Sequence, residues 1–318
     1  MTEPITNPMW SERYRPRTIA DCVLPLSHKV MFQKFVADGH VPNLLLTGPP
    51  GIGKTTIAKA MLDELDVDYM TINGSMNGNI DTLRNDILAF ASTISFRGGR
   101  KYVILDEADY LNANSTQPAL RNFMEEYSKN CGFILTCNFK NKIIAPLHSR
   151  CAMIDFTITT ADKPALAGQF MERLESVLVA EKISYTPLIL VELVKKYMPD
   201  WRRCLNELQR YAMGSATHTI DAGILANLVD VDIRDLVKAL KQKDFTAMRK
   251  WVGQNTTTDS AALFRRLYDQ ASDLLTPQSI PVLILRLADY QYKAAFVYDA
   301  EINMAAFLTE IMHDCEFK

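Results

Sequence analysis

The stretch GPPGIGKT, residues 48–55, lies directly between an apolar run, NLLLT, and a segment with apolar residues at three-and-four spacing, TTIAKAMLDEL. It fits G-x-x-x-x-G-K-S/T, and the strand–loop–helix context is what gives that pattern weight. Gly48, Gly51 and Gly53 let the backbone curl so that its N–H groups face phosphate oxygens, and the following helix adds its positive N-terminal end. Lys54 is expected to reach the outer phosphates and Thr55 to ligate Mg2+. The expected phosphate-binding stretch runs through Gly51, Ile52, Gly53, Lys54, Thr55 and Thr56.

A loop of this kind requires a parallel sheet, and the flanking sequence supplies one. From about residue 27 to 156 short apolar runs alternate with helical patterns, which predicts a sheet with helices on both faces. The expected strands are 43–47, 68–72, 102–106, 133–137 and 153–156. After about residue 160 every apolar pattern reads helical, as in FMERLESVLVAEK and RCLNELQRYAM. The expected division is a nucleotide-binding domain over 1–159, a helical domain over 160–229 and a second helical block over 230–318.

The strand VILDE ends in Asp106, placed to hold Mg2+ through water, and Glu107, placed to orient or deprotonate an attacking water. With Ala108 and Asp109 these residues spell DEAD, the name-giving motif of a helicase family. That family also carries Ser-Ala-Thr one strand later, whereas the only such triplet here, Ser215-Ala216-Thr217, falls far downstream. Such helicases also need a second sheet domain, and the remainder here reads helical. The motif is therefore taken as a coincidence of letters, and ATP hydrolysis as the leading activity. Asn138, ending FILTCN, can position water or sense the terminal phosphate. Arg150, in PLHSRCAMI, sits at a domain edge from which an arginine can reach a neighbour's phosphates.

Composition removes several alternatives. In 318 residues no apolar run approaches the ~20 needed to span a bilayer, and MTEPITNPMW lacks the apolar core of a secretory signal, so the cytoplasm is expected. The six cysteines are scattered without C-x-x-C spacing and read as reduced packing residues. A formal net charge of −2 neither requires nor excludes nucleic acid as a partner, because an assembly can gather local basic patches from several subunits.

Taken together, the P-loop, VILDEAD, PALRNFMEEYSKNCGFILTCN and KIIAPLHSRC resemble the AAA+ ATPase subunits of sliding-clamp loaders, the replication factor C family and its phage counterparts, with the phage large subunits fitting best in length. The resemblance implies an α/β AAA+ domain with a five-stranded parallel sheet, a helical lid and a helical collar. It implies ATP and Mg2+ as ligands. As partners it implies other copies of the chain, a small non-identical subunit, the sliding clamp and primer–template DNA, with no membrane. WSERYRPRTIADCVLP, a loose Pro-broken tail by pattern alone, is similar to the loaders' adenine-packing segment, making Ser11, Glu12, Arg13, Tyr14 and Val23 candidate base contacts. MPDWRRCLNEL resembles the second sensor and selects Arg202, with Arg203 as the fallback. Gly78-Asn79 departs from a basic residue of the phage relatives, while Gln117 and Arg121 are candidates for relaying DNA or neighbour contact to Glu107, or else a solvated helix face. The alternatives are a helicase-loading or branch-migration AAA+ motor, and a scaffold that binds ATP without turnover.

Overall fold

The computed structural model describes residues 8–76, 80–95, 98–214, 219–226, 233–255, 260–294 and 296–318. Ser215-Ala216-Thr217 and Gly78-Asn79 lie outside them. The chain forms two compact units, Met1–Ala226 and Asn227–Lys318.

The first unit is built on a five-stranded sheet of β1 (Leu44–Thr47), β2 (Tyr69–Asn73), β3 (Lys101–Asp106), β4 (Cys131–Cys137) and β5 (Ala152–Asp155). The order is β2-β3-β4-β1-β5 and all neighbours pair in parallel. Strand alternation divides its side chains between two cores. Leu45, Val103, Leu105, Phe133 and Leu135 face one way, toward Ile87 of α4 (Ile80–Ala91) and Leu120, Phe123 and Met124 of α5 (Thr116–Glu126). Leu44, Leu46, Tyr102, Ile104 and Ile134 face the other way, toward Phe32 of α2 (Leu26–Ala37) and Ile57, Ala58 and Met61 of α3 (Lys54–Glu64). Burial on both faces is why β1 and β4 are largely apolar rather than alternating, with Thr47 and Thr136 their hydroxyl-bearing members. The single turn α6 (Ala145–His148) leads from the loop after β4 into β5.

The segment read by pattern as a loose tail is ordered. It opens with α1 (Trp10–Arg13), and Trp10 is 3% exposed. Gln209 of α9 (Trp201–Gly214) accepts from the Trp10 N–H at 2.8 Å and donates to Pro8 O at 2.6 Å. These contacts span about two hundred residues of chain, so no local pattern could disclose them.

The expectation of helices alone beyond residue 160 is corrected. Between α7 (Lys163–Ala180) and α8 (Pro187–Tyr197) lies β6 (Ser184–Tyr185), paired in parallel with β7 (Thr219–Ile220). Two-residue strands are too short to carry an alternating pattern, and their pairing is non-local. The cysteines are all buried and free.

The second unit is helical, with α11 (Arg234–Gln242), α12 (Phe245–Gln254), α13 (Ser260–Asp269), α15 (Ile280–Ala294) and α16 (Ala300–Asp314) as its longer elements, α10 (Gly223–Ala226) closing the first unit and α14 (Ala271–Leu274) a single turn. Its core gathers Leu236, Phe264, Leu283, Phe307 and Ile311, with Phe264 edge-on to Phe307 at 4.9 Å. Asp244 and Asp299 cap α12 and α16 through their carboxylates. Among the described residues no helix is long and apolar enough to cross a membrane.

Candidate nucleotide-binding site

In an open parallel sheet the carboxyl ends of the strands border the ligand crevice. The loop after β1, the end of β3 and the end of β4 meet there, with β4 next to both β1 and β3. The loop after β1 leads into α3 through Gly51 at φ +72° and Gly53 at φ +104°, left-handed values that favour glycine. A Cβ on Gly51 would also fall on the Asp200 carboxylate, which caps the start of α9 by accepting from the Arg203 N–H at 2.9 Å.

Lys54 heads α3 and is 8% exposed. Its ammonium donates to Gly48 O at 2.7 Å, Pro49 O at 2.8 Å and Asn138 Oδ1 at 2.9 Å. All three acceptors are neutral, so burial pushes the Lys54 pKa below its ordinary value, an effect that the carboxylates of Asp106 and Asp109 oppose. Thr55 donates to Asp106 Oδ1 at 2.5 Å, and Thr136 donates to the same oxygen at 2.6 Å. A carboxylate and a hydroxyl converging beside the lysine form the hard oxygen set that Mg2+ takes, so these residues fit the ion.

Glu107 follows with φ 55° and ψ 45°, a left-handed conformation that non-glycine residues rarely adopt and that recurs at functional sites. Its N–H donates to Thr136 Oγ1 at 3.1 Å. Gly74 makes the neighbouring approach possible, since a Cβ there would sit 2.6 Å from Glu107 O. Asp109, the last letter of DEAD, serves the structure rather than the chemistry. It is 5% exposed, and its Oδ2 accepts from the N–H groups of Asn138 and Phe139, both at 3.2 Å. The loop after β4 is thereby tied to the loop after β3.

Lys54, Thr55, Asp106, Glu107, Asn138 and Arg202 line a polar cleft of about 500 Å3. A second cleft of about 630 Å3 is lined by Tyr14, Val23, Leu24, Phe170, Trp201 and Leu205 among others. Gly51, Gly53, Thr56 and Arg202 line both. Phe170 and Trp201 pack at 4.5 Å between ring centroids along the apolar cleft.

Of the expected base contacts, Ser11, Tyr14 and Val23 line the apolar cleft together with Ile52. Glu12 and Arg13 do not: Glu12 pairs with Arg15 at 2.5 Å, and Arg13 pairs with Glu181 at 2.6 Å. Arg202 faces the clefts, whereas Arg203 lies over the Tyr197 ring at 5.3 Å. Arg150 lies outside both linings. Its Nε donates to Glu125 Oε1 at 2.9 Å, a second nitrogen to the same oxygen, and a third to Pro146 O at 2.9 Å. Arg150 thereby holds the Glu125 carboxyl below its ordinary pKa. Arg121 approaches the same carboxylate at 3.7 Å. Gln117 is not on a solvated face: it is 1% exposed, donates to Leu111 O and Lys142 O, both at 3.0 Å, and accepts from the Ile144 N–H at 2.8 Å.

Sequence reasoning missed Thr136, although it lies near the end of β4 only two residues before Asn138. It also missed Phe170 and Arg173, which no local motif marks, and Trp201, which stands beside Arg202 in MPDWRRCLNEL.

The region 44–157 matches the family described as ATPases associated with various cellular activities (AAA). The chain is similar to the sliding-clamp-loader large subunit of Enterobacteria phage T4, 34% identical over 313 residues covering 96% of each. It is 32% identical to human replication factor C subunit 5, covering 96% of this chain and 91% of that protein. It is 30% identical to the replication factor C small subunit of Sulfurisphaera tokodaii, covering 95% and 94%. In fold it is similar to the Thermotoga maritima RuvB Holliday junction branch migration motor, with a TM-score of 0.56 at 17% identity over 83% of this chain and 93% of that one.

Proposed function

Because the chain belongs to the sliding-clamp-loader family of AAA ATPases, we propose that it is an ATPase subunit that uses ATP to load a ring-shaped sliding clamp onto primer–template DNA. The observation that carries the ATP reading is the pair of adjoining clefts. One is polar and sets the cations of Lys54 and Arg202 beside the carboxylates of Asp106 and Glu107, the other is apolar and aromatic, and they share Gly51, Gly53, Thr56 and Arg202. A ligand with a polyanionic end and a flat apolar end fits both.

In this reading Lys54 and Arg202 hold the outer phosphates by charge and hydrogen bonds, and the N–H groups of the glycine-rich loop cradle the inner ones. Thr55 and Asp106 hold Mg2+, which supplies charge neutralisation on the phosphates. Glu107 accepts the proton of the attacking water, with its backbone fixed through Thr136 Oγ1 at 3.1 Å. Asn138, anchored through Asp109 and bonded to Lys54 at 2.9 Å, orients that water or the terminal phosphate. Arg150 acts on the ATP of the next subunit; its position outside its own clefts, where it is held by Glu125, supports that assignment.

The assembly comprises other copies of this chain and a small non-identical subunit, with residues 1–159 as the nucleotide-binding domain, 160–229 as a lid and 230–318 as a collar. ATP favours the state that holds an open clamp, and primer–template DNA completes the catalytic arrangement. The fold likeness to RuvB at 17% identity concerns architecture alone and does not favour branch migration.

Hydrolysis by the complex of this chain with its small subunit tests the reading. Stimulation that needs both clamp and primed DNA is the expected result. Stimulation by forked or branched DNA without clamp would point instead to a remodelling motor, and ATP binding without turnover to a scaffold.

A further inference from the structure

The apolar cleft is walled on one side by the stretch from Tyr14 to Leu24, which among the described residues contains no strand and no helix. Such a wall has to be held from outside. Its middle is tied to α3 and α2, where the Ile19 N–H donates to Glu64 Oε1 at 2.5 Å and Lys29 donates to Ala20 O at 2.9 Å, and the residues on either side of that middle are held by α7. Arg173 donates from one guanidinium nitrogen to Tyr14 O and from another to Asp21 O at 3.3 Å, bridging the two ends of the stretch. One turn earlier on α7, Gln169 donates to Leu24 O at 3.1 Å and accepts from the Leu24 N–H at 3.4 Å. At the end of α7 the Glu181 carboxylate accepts from Tyr14 Oη and from Arg13.

Arg173 differs from the other two because it also lines the cleft itself. Among the described residues it makes no ion pair with a carboxylate; backbone carbonyls are its hydrogen-bond partners. Burial accordingly lowers its pKa, with Asp21 acting in the opposite direction. Keeping a partly buried guanidinium on two carbonyls is costly unless it orders something, and what it orders is the wall that Tyr14 and Val23 contribute to the cleft.

We propose that Arg173 is a positioning residue for nucleotide binding: it staples Tyr14 and Asp21 to α7, fixing the base-side wall, so that ATP affinity depends on it through the backbone rather than through charge on the phosphates. The inference rests on reading the clefts as an ATP site, and it extends that reading to a residue of α7 that belongs to neither the P-loop nor the acidic pair.

The test is titration of the full-length chain with a ribose-labelled fluorescent ATP, competed with unlabelled ATP, alongside KM and kcat in the assembled complex. Arg173→Ala removes charge-assisted bonds to two carbonyls and is expected to weaken affinity about tenfold, with the loss falling on KM rather than kcat. Arg173→Lys, which keeps a cationic donor, should recover part of it. Glu172→Ala, on the same helix, should bind as the parent does. Affinity within about twofold of the parent in a folded Arg173→Ala chain would overturn the proposal, as would a fall in kcat at unchanged KM. If Arg173→Ala does not fold, Arg173→Gln, which removes the charge and keeps a donor, is read by the same criterion. Failure of the unaltered chain to bind the probe at all would instead remove the ATP reading itself.

Discussion

Replacing Lys54 by Met separates two properties that a structural lysine would lose together. Lys54 is 8% exposed, and its ammonium donates to the neutral oxygens of Gly48, Pro49 and Asn138. Met removes a buried charge whose desolvation is costly, and because the cleft opens to solvent, water takes the ammonium's place on the three oxygens, so the exchange is neutral or better by about 1–2 kcal/mol. The unliganded variant should therefore melt at the same temperature as the parent or a few degrees above it, at roughly 2–4 °C per kcal/mol for a unit of this size. Affinity behaves oppositely. If two of the three donors turn to phosphate oxygens, their loss removes about 3–6 kcal/mol, or roughly 10²–10⁴ in Kd. Thermal unfolding with and without ATP and Mg2+ reads both: ATP at about 100 times Kd adds about 2.7 kcal/mol to the parent, and the same concentration should add almost nothing to the variant. The pH dependence has a definite sign. Because burial lowers the Lys54 pKa in the folded chain, the folded state binds fewer protons than the unfolded one between that lowered value and the ordinary 10.5. Stability from this group therefore rises with pH across that window, and the Met variant should lack that contribution. A large loss of unliganded stability, or an ATP-induced shift equal to the parent's, would make Lys54 a structural lysine rather than a phosphate ligand.

Glu107→Gln should keep ATP binding while turnover falls at least about 100-fold, because the amide preserves shape but is a poor proton acceptor; near-parental turnover would remove Glu107 as the base. Arg150→Ala should leave each chain able to bind ATP yet cut hydrolysis in the assembly by roughly 10³–10⁵. Mixing Arg150→Ala with Glu107→Gln chains should restore part of the activity, since interfaces with an intact Glu107 and a neighbour's intact Arg150 reappear; no recovery despite co-assembly would argue for action within one chain. Gln117→Ala strands Leu111 O, Lys142 O and the Ile144 N–H in a buried site and should cost roughly 2–4 kcal/mol, visible as a lower melting temperature; an unchanged melting temperature would contradict the buried-junction assignment.

The phosphate side of the site was legible in the sequence because its parts are contiguous. GPPGIGKT and VILDE each carry their chemistry within a few residues, and the strands that present them are apolar enough to be drawn to within a residue or two. The base side was legible only through resemblance. Tyr14, Val23, Phe170 and Trp201 come together from segments far apart in the chain, and the polar bonds that hold them, such as Gln209 to Trp10 and Arg173 to Tyr14, leave no periodic trace. Gln117 illustrates the same limit: its helix reads amphipathic, but which side of an amide-bearing position is buried depends on the loop carrying Lys142 and Ile144. Asp109 carries a lesson about motifs. The DEAD letters do not make a helicase here, yet the final aspartate is buried because it ties the loop after β4 to the loop after β3.

Whether ATP bound in these clefts drives placement of a clamp on DNA is read by counting clamps left on DNA. A labelled clamp is incubated with a primed circular DNA, the small subunit and this chain, and clamp retained on the circle is counted after gel filtration. Retention that requires ATP, requires a primer and is lost when the circle is linearised is the predicted result. Clamp retained equally without ATP, or not retained at all by an assembly that hydrolyses ATP, would remove clamp loading as the function of this chain.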